Sequence, residues 1–224
     1  MILSLIKPAG ISSHAVVNQV RRITGEKKVG HGGTLDPLAK GVLIVGVGRE
    51  STKKLQQYSK NTDKEYLATI ELGKNSSTDD SEGQLITVGD PTNVSRDTIE
   101  KVLKKFTGKI KQRPPKYSAI KIKGSPAYKL ARKGNIFALP KRSVEIKSLE
   151  LIEFAPPFIK IAVTVSSGTY IRSLARDIGV KLKVGGYLKD LTRTRVGSFT
   201  LEQSTSIEDF AKKYKMGDTI ENEA

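Results

Sequence analysis

The stretch Gly30-His31-Gly32-Gly33-Thr34-Leu35-Asp36-Pro37-Leu38-Ala39-Lys40-Gly41-Val42-Leu43-Ile44-Val45-Gly46-Val47 has two halves of opposite character. In the first half, three glycines and a histidine precede a single carboxylate, with no apolar periodicity. Glycine permits close backbone approach and turns of positive φ, so this half reads as an irregular loop. In the second half, Val42 to Val47 is a continuous apolar run bounded by glycines, which predicts an interior strand.

Asp36 needs a reason to be where it is. The helix predicted just upstream carries Val16, Val17, Val20 and Ile23 on one face, with Ser12 or Ser13 as its cap. Arg21, Arg22, Lys27 and Lys28 make the far end of that segment strongly basic. Positive charge beside a glycine-rich loop suits a phosphate backbone, yet a carboxylate there would be repelled by a polyanion. Locally, Asp36-Pro37 also reads as an ordinary helix N-cap with proline at the first helical position.

Further outward, Ile2 to Ile6 reads as a short buried strand, broken at Lys7-Pro8-Ala9-Gly10. A short helix is expected over 52–59 and a strand over 66–72. Ser95 caps a second clear helix, with Ile99, Val102, Leu103 and Phe106 on one face. From Lys109 to Arg142 the chain is rich in Lys, Arg, Gly and Pro and is expected to be a mobile, RNA-facing insertion, with Ser125-Pro126 opening a short helix. Phe158 to Val165 alternates as a strand, Ile171, Leu174, Ala175 and Ile178 mark a helix face, and 196–201 reads as a last strand. Ser206 then caps a terminal helix, with Asp209 as its capping-box partner. The mixed order of elements favours an α+β domain on a mixed, largely antiparallel sheet. One domain over 1–224 is expected, ending in a helix and an acidic tail over 200–224.

Composition narrows the function classes. Lys+Arg total 39 against 23 Asp+Glu, a formal charge of +16, and a field of that sign attracts polyanions. There are no cysteines, which excludes disulfides, thiolate metal sites and a cysteine nucleophile. With two histidines and no close carboxylate cluster, no metal centre is expected. No run approaches the ~20 apolar residues of a membrane span, and the N-terminus carries no secretory signal pattern, so the cytoplasm is the expected compartment. The absence of a coiled-coil pattern suggests a monomer.

Tyr66 behind Asp63-Lys64-Glu65, and Arg172 after Ser167-Gly168-Thr169-Tyr170, are unremarkable alone. Taken with the glycine loop they become recognisable. Gly30-His31-x-Gly33-Thr34-Leu35-Asp36-Pro37-Leu38-Ala39-x-Gly41-Val42-Leu43 closely resembles the catalytic motif of TruB-type pseudouridine synthases. Lys7-Pro8-x-Gly10-x-Ser12-Ser13, Lys64-x-Tyr66, Thr78-x-Asp80-x-x-Gly83 and Gln112-x-Pro114-Pro115-x-Tyr117-Ser118-Ala119-Ile120-Lys121 resemble further motifs of that family, in order. So do Tyr128-x-x-Ala131-Arg132-x-Gly134, Gly168-Thr169-Tyr170-Ile171-Arg172-Ser173-Leu174 and Leu191-x-Arg193-Thr194-x-x-Gly197-x-Phe199.

The resemblance implies a cofactor-free isomerisation of a flipped uridine in the T-loop of tRNA, at position 55. It implies Asp36 as the residue that starts the reaction, Tyr66 stacked on the base and Arg172 paired with Asp36. It also implies His31 filling the space the base leaves and Leu191 near the uracil, with Lys7, Lys64, Tyr117, Lys121 and Arg132 among the RNA-binding residues. An ionised carboxylate can attack C1′ or remove a proton at C2′, and both routes stay open. Gly32 stands where the family usually has threonine or serine, which is expected to loosen the loop. Val165-Ser166-Ser167 stands where Cys-Ser-Lys is common, removing a basic contact, and Ser76 replaces a usual threonine. Beyond Phe199 too few residues remain for the usual C-terminal PUA domain, so that domain is expected to be missing. A guide-RNA-dependent synthase, a tRNA-folding chaperone and a ribosomal-type RNA binder are the competing readings.

Overall fold

The computed structural model describes residues 1–60, 62–122 and 124–217. In chain order the elements are β1 (Ile2–Lys7), α1 (Ser13–Thr24), β2 (Val29–His31), β3 (Lys40–Val47), α2 (Arg49–Lys60), β4 (Lys64–Leu72), β5 (Lys74–Ser76), β6 (Leu85–Thr87), α3 (Arg96–Lys104), β7 (Gly108–Gln112), β8 (Lys121–Ile122), β9 (Ser125–Pro126), α4 (Ala127–Arg132), β10 (Arg142–Ala155), β11 (Phe158–Val165), α5 (Ile171–Lys181), β12 (Gly186–Val196), β13 (Phe199–Thr200), β14 (Thr205–Ser206) and α6 (Ile207–Met216). The main sheet is mixed, in the order β14-β1-β3-β12-β4-β11-β10-β7, as the α+β expectation requires. The chain forms two compact units. The first comprises the described parts of 1–67, 164–167 and 191–224, and the second 68–163 and 168–190.

In the first unit the apolar run of β3 is buried on both faces. Leu43, Val45 and Val47 pack with Val16, Val17 and Val20 of α1 and with Ile207 and Phe210 of α6. Val42 and Ile44 pack with Leu55 of α2 and with Val196 and Phe199. A strand covered on both sides has no need to alternate, which explains its unbroken run. β1 lies antiparallel to β3, with Leu3 opposite Val45 and Leu5 opposite Leu43. Ser12, not Ser13, caps α1 by accepting from the Ala15 amide at 3.1 Å. Gly25 ends that helix in the left-handed region, and its amide bonds the Arg21 carbonyl. α6 is capped as expected by Ser206, whose Oγ accepts from the Asp209 amide and donates to the Asp209 carboxylate.

In the second unit α3 buries Ile99, Val102 and Leu103, and β7 pairs antiparallel with β10 from Gly108 opposite Ile146 to Gln112 opposite Arg142. The basic segment 109–142 is tied down at several points: Gln112, Pro114, Pro115, Ser118, Ala127 and Leu139 are buried. The Gln112 amide group brackets the backbone of Tyr170, donating to its carbonyl and accepting from its N–H.

Three local expectations change. The short helix expected at Ser125-Pro126 is present as α4, but it starts one residue later: Pro126, not Ser125, is the N-cap, with no side-chain cap bond, and the pair also forms β9 opposite Lys121-Ile122. The expected last strand over 196–201 is a hairpin, in which β12 ends at Val196 and β13 folds back with Phe199 opposite it. Asp36-Pro37 does not start a helix either. The Ala39 amide bonds the Asp36 carbonyl at 3.1 Å in a turn, and the chain enters β3 at Lys40. The expected acidic tail, Glu221-Asn222-Glu223-Ala224, lies outside the described residues.

One contact in the first unit joins β3 to β12. The strands run parallel there, with Gly41 opposite Arg193. Gly41 has φ +109, and a Cβ on it would lie 2.2 Å from the Arg193 carbonyl oxygen. Gly41→Ala therefore both strains the backbone and forces the strands apart. It is expected to cost about 2–4 kcal/mol, read as a lower urea midpoint with unchanged slope.

Candidate active site

The loop that carries Asp36 is held by its backbone. Arg193 donates from Nη2 to the Gly33 carbonyl at 3.3 Å and from Nη1 to the Thr34 carbonyl at 3.5 Å. Ser13 Oγ donates to the Leu35 carbonyl and accepts from the Leu35 amide, both at 2.8 Å. The Asp36 carbonyl takes the Ala39 amide, and the Pro37 carbonyl takes the Gly10 amide and Lys7 Nζ. Every carbonyl from Gly33 to Pro37 thus has a donor. Asp36 itself is half-buried, between buried Leu35 and the strand.

Lys7 was expected among the RNA-binding residues. It is fully buried, and its ammonium also donates to the carbonyls of Pro8 and Ile11. It is therefore an internal clamp under the loop. Lys64 is likewise buried, donating to the carbonyls of Ser59 and Thr62 and to Ser167 Oγ at 2.6 Å. Burial brings its ammonium down to about 8, helped by the Arg193 charge and opposed by Asp63. Ser167, the departure from the family's usual lysine, is thus the hydroxyl that receives Lys64.

Gly32 is not a loose point. Its amide bonds the Ile44 carbonyl at 2.8 Å. A Cβ there would meet Tyr58 Cβ at 3.2 Å and the Leu55 carbonyl at 3.3 Å, so the absent side chain lets the loop lie tightly on α2.

His31 ends β2, opposite Val45. Its Nδ1 is buried without a hydrogen-bond partner among the described residues. Burial lowers its pKa from the ordinary 6.5, and the charges of Arg193 and His14 lower it further, so the imidazole is neutral at pH 7. His31 also lines a cavity of about 490 Å³ in which Arg21, Lys27 and Lys28 supply cations, with Leu55 and Gln56 across it. Tyr66 is half-buried on β4, and Leu191 is buried on β12.

The first unit thus contains Asp36, His31, Tyr66, Lys7, Lys64 and Leu191. The second contains Arg172, Tyr117, Lys121 and Arg132. There Arg172 is buried at the start of α5, 3.4 Å from the Asp80 carboxylate, and donates to the carbonyls of Thr78 and Tyr117. Tyr117 therefore meets Arg172 through its backbone. Lys121 and Arg132 are exposed, with the Arg132 guanidinium 5.7 Å from the Tyr128 ring centre. Among the described residues no group of three or more His, Cys, Asp or Glu could hold a metal ion.

In the sequence Ser13 is legible only as an alternative helix cap, and Arg193 only as part of a motif. The available signal for Arg193 was its spacing: two residues beyond Leu191, it shares that residue's strand face.

His31 generates a test by its titration. Its folded pKa lies below its unfolded value of about 6.5, so below pH 6.5 the unfolded chain binds the proton first. Stability therefore falls as pH drops through that window, and rises with pH across it. Urea denaturation from pH 5 to 7 should show this slope, reduced in His31→Gln.

Residues 21–171 match the TruB family pseudouridylate synthase N-terminal domain, and residues 172–224 match the tRNA pseudouridylate synthase B C-terminal domain. The tRNA pseudouridine synthase B of Streptomyces avermitilis is 46% identical over 211 residues, covering 90% of this chain and 69% of that protein. That of Mycobacterium leprae is 42% identical over 229 residues, covering 98% and 71%. Among solved structures, a Cbf5-Nop10-Gar1 complex matches at a TM-score of 0.76 and 33% identity, over 96% of this chain and 54% of the other. An H/ACA RNP bound to a substrate RNA containing 2′-deoxyuridine matches at 0.72 and 29%, over 98% and 56%, so this chain spans about half the length of those solved chains. With its Asp36 loop seated on β3 and its family motifs in order, the chain belongs to the TruB family of pseudouridine synthases.

Proposed function

We propose that this protein isomerises a uridine in the T-loop of tRNA, at position 55, to pseudouridine, with Asp36 as the reacting carboxylate. The observation that carries this reading is the Asp36 loop, whose carbonyls from Gly33 to Pro37 are all occupied. A carboxylate on so constrained a backbone is poised for chemistry that depends on position.

The reaction breaks the N1–C1′ bond, turns the uracil and forms a C5–C1′ bond. The proton on C5 is lost and N1 gains one, so no outside atom and no cofactor is consumed. Asp36 acts on the sugar, either at C1′ as nucleophile or at C2′ as base. Tyr66 stacks on the uracil, a contact worth roughly 1–3 kcal/mol, and helps remove the C5 proton. Leu191 gives the base an apolar neighbour. The base must leave its stack to react, at a cost of a few kcal/mol. His31, neutral and flat, is suited to fill the vacated space without adding charge.

RNA binding in the first unit is assigned to the cavity beside His31, where Arg21, Lys27 and Lys28 meet the phosphate backbone. In the second unit it is assigned to the basic segment with Lys121 and Arg132. No helix among the described residues is long and apolar enough to cross a membrane. The proposed setting is a monomer acting on tRNA in the cytoplasm. The tRNA synthases' 42–46% identity, above the Cbf5 chain's 33%, favours a stand-alone enzyme over a guide-dependent one.

Tritium release from a T-arm stem-loop labelled at C5 of the uridine tests the chemistry. Wild type alone should release tritium without a guide RNA, and Asp36→Asn should bind the RNA and release none. Release by Asp36→Asn at the wild-type rate would remove Asp36 from the mechanism. Binding without release by either protein would favour a folding chaperone. For the cavity, Lys27→Ala combined with Lys28→Ala should flatten the log–log salt dependence of RNA affinity by about 1.4, at ~0.7 per phosphate contact on single strands.

A further inference from the structure

Arg193 is 2% exposed, deep in the first unit. Its Nε donates to the Val42 carbonyl at 2.7 Å, and its two terminal nitrogens reach the carbonyls of Gly33 and Thr34 at 3.3 and 3.5 Å. Among the described residues its partners are these three carbonyls, and no carboxylate lies within ion-pair distance. A buried guanidinium without a counter-charge costs more than an apolar side chain of similar volume would at the same position. Core stability is therefore a poor reason for an arginine here.

We infer that Arg193 is a positioning residue of the Asp36 site: one guanidinium spans from strand β3 to the loop, and its three bonds set where Asp36 stands. The inference rests on the functional reading of Asp36 above.

Three features make the side chain suited to this task. First, its planar fork has donors on both sides of the plane's edge, so a single group bonds β3 and the loop at once. A lysine ammonium is a compact point charge and lacks that fixed spread. Second, Gly41 lets β12 approach β3 closely enough to bring the fork under the loop. The loop above the fork turns at Gly33, whose φ of +96 favours glycine. Third, Leu191 and Arg193 share one face of β12 and are both buried. One strand thereby supplies the residue assigned to the uracil and the clamp assigned to the aspartate, linking their positions by two residues of rigid backbone. The guanidinium also carries its charge close enough to hold His31 and Lys64 towards their neutral forms.

The test compares wild type with Arg193→Lys and Arg193→Met. The variants should lower kcat on the T-arm stem-loop by about a hundredfold and change KM by less than threefold. A raised KM with unchanged kcat would make Arg193 a substrate contact and overturn the proposal. So would wild-type kcat in Arg193→Lys. Two measurements do not depend on activity. In Arg193→Lys, amide exchange at Gly32 and Leu35 should speed up about tenfold while β3 stays protected; unchanged exchange would overturn the clamp. NMR titration of the two imidazoles, assigned with His14→Gln, should show His31 more basic in Arg193→Met and near wild type in Arg193→Lys. An unmoved His31 in Arg193→Met would show that the guanidinium does not sit where its electrostatic role requires. If Arg193→Met does not fold, Arg193→Lys decides the matter by exchange and kcat. A wild type that releases no tritium would sink the assignment of Asp36, and the exchange result would still decide whether Arg193 holds the loop.

Discussion

A short loop that must keep one carboxylate in place has to satisfy its own backbone first. Peptide carbonyls removed from water need donors, and a missing one costs about 1–3 kcal/mol. Here the donors to residues 33–37 come from the ammonium of Lys7, the hydroxyl of Ser13, the guanidinium of Arg193 and the amides of Gly10 and Ala39. Those residues lie on β1, at the start of α1, on β12 and in the adjoining turns. Their own placement requires β1 and β12 to flank β3. The architecture of the first unit can thus be read as the scaffold needed to bring scattered donors to five consecutive peptide groups.

This arrangement makes local features interdependent. Ser12 and Ser13 are neighbours with different work: one caps a helix, and the other grips Leu35 from both sides of its residue. Lys7 and Lys64 are cations placed inside: Lys7 donates to the carbonyls of Pro8, Ile11 and Pro37, and Lys64 to those of Ser59 and Thr62 and to the Ser167 hydroxyl. The strong net charge of the chain therefore does not translate directly into RNA contacts, because part of it is internal. In the second unit the same chemistry recurs around Arg172, where a buried guanidinium joins Asp80 to the carbonyls of Thr78 and Tyr117.

Much of this was legible in the sequence, and the reasons are specific. The run Val42 to Val47 announced a buried strand because two covered faces leave no polar alternation. The helices α1, α3 and α6 announced themselves by serine caps and apolar spacing. β12 did not, because Arg193 occupies an inward position where a reader of patterns expects an apolar residue, and Thr192, Thr194 and Arg195 lie between. β10 was hidden for a related reason: most of its fourteen residues are not buried, and its identity comes from pairing with neighbours. For the candidate site, the family motifs named Asp36, Tyr66, His31, Leu191 and Arg172. Motif spacing carried no information about which lysines were enclosed, since enclosure depends on contacts between distant segments.

The first unit is assembled from widely separated pieces of chain. Leu5 and Ile6 of β1 pair with Thr205 and Ser206, and Ser4 bonds Ser204 at 2.7 Å. During synthesis β1 precedes this neighbour by some two hundred residues. Until then β1 presents an unpaired edge, and unpaired edges invite association with other chains. Contacts of such sequence separation also slow folding, because the intervening chain must be closed into a loop before they form. The pairing that closes the scaffold around Asp36 thus becomes available only once those two hundred residues have been made, and the nascent chain is exposed to misassembly until it forms.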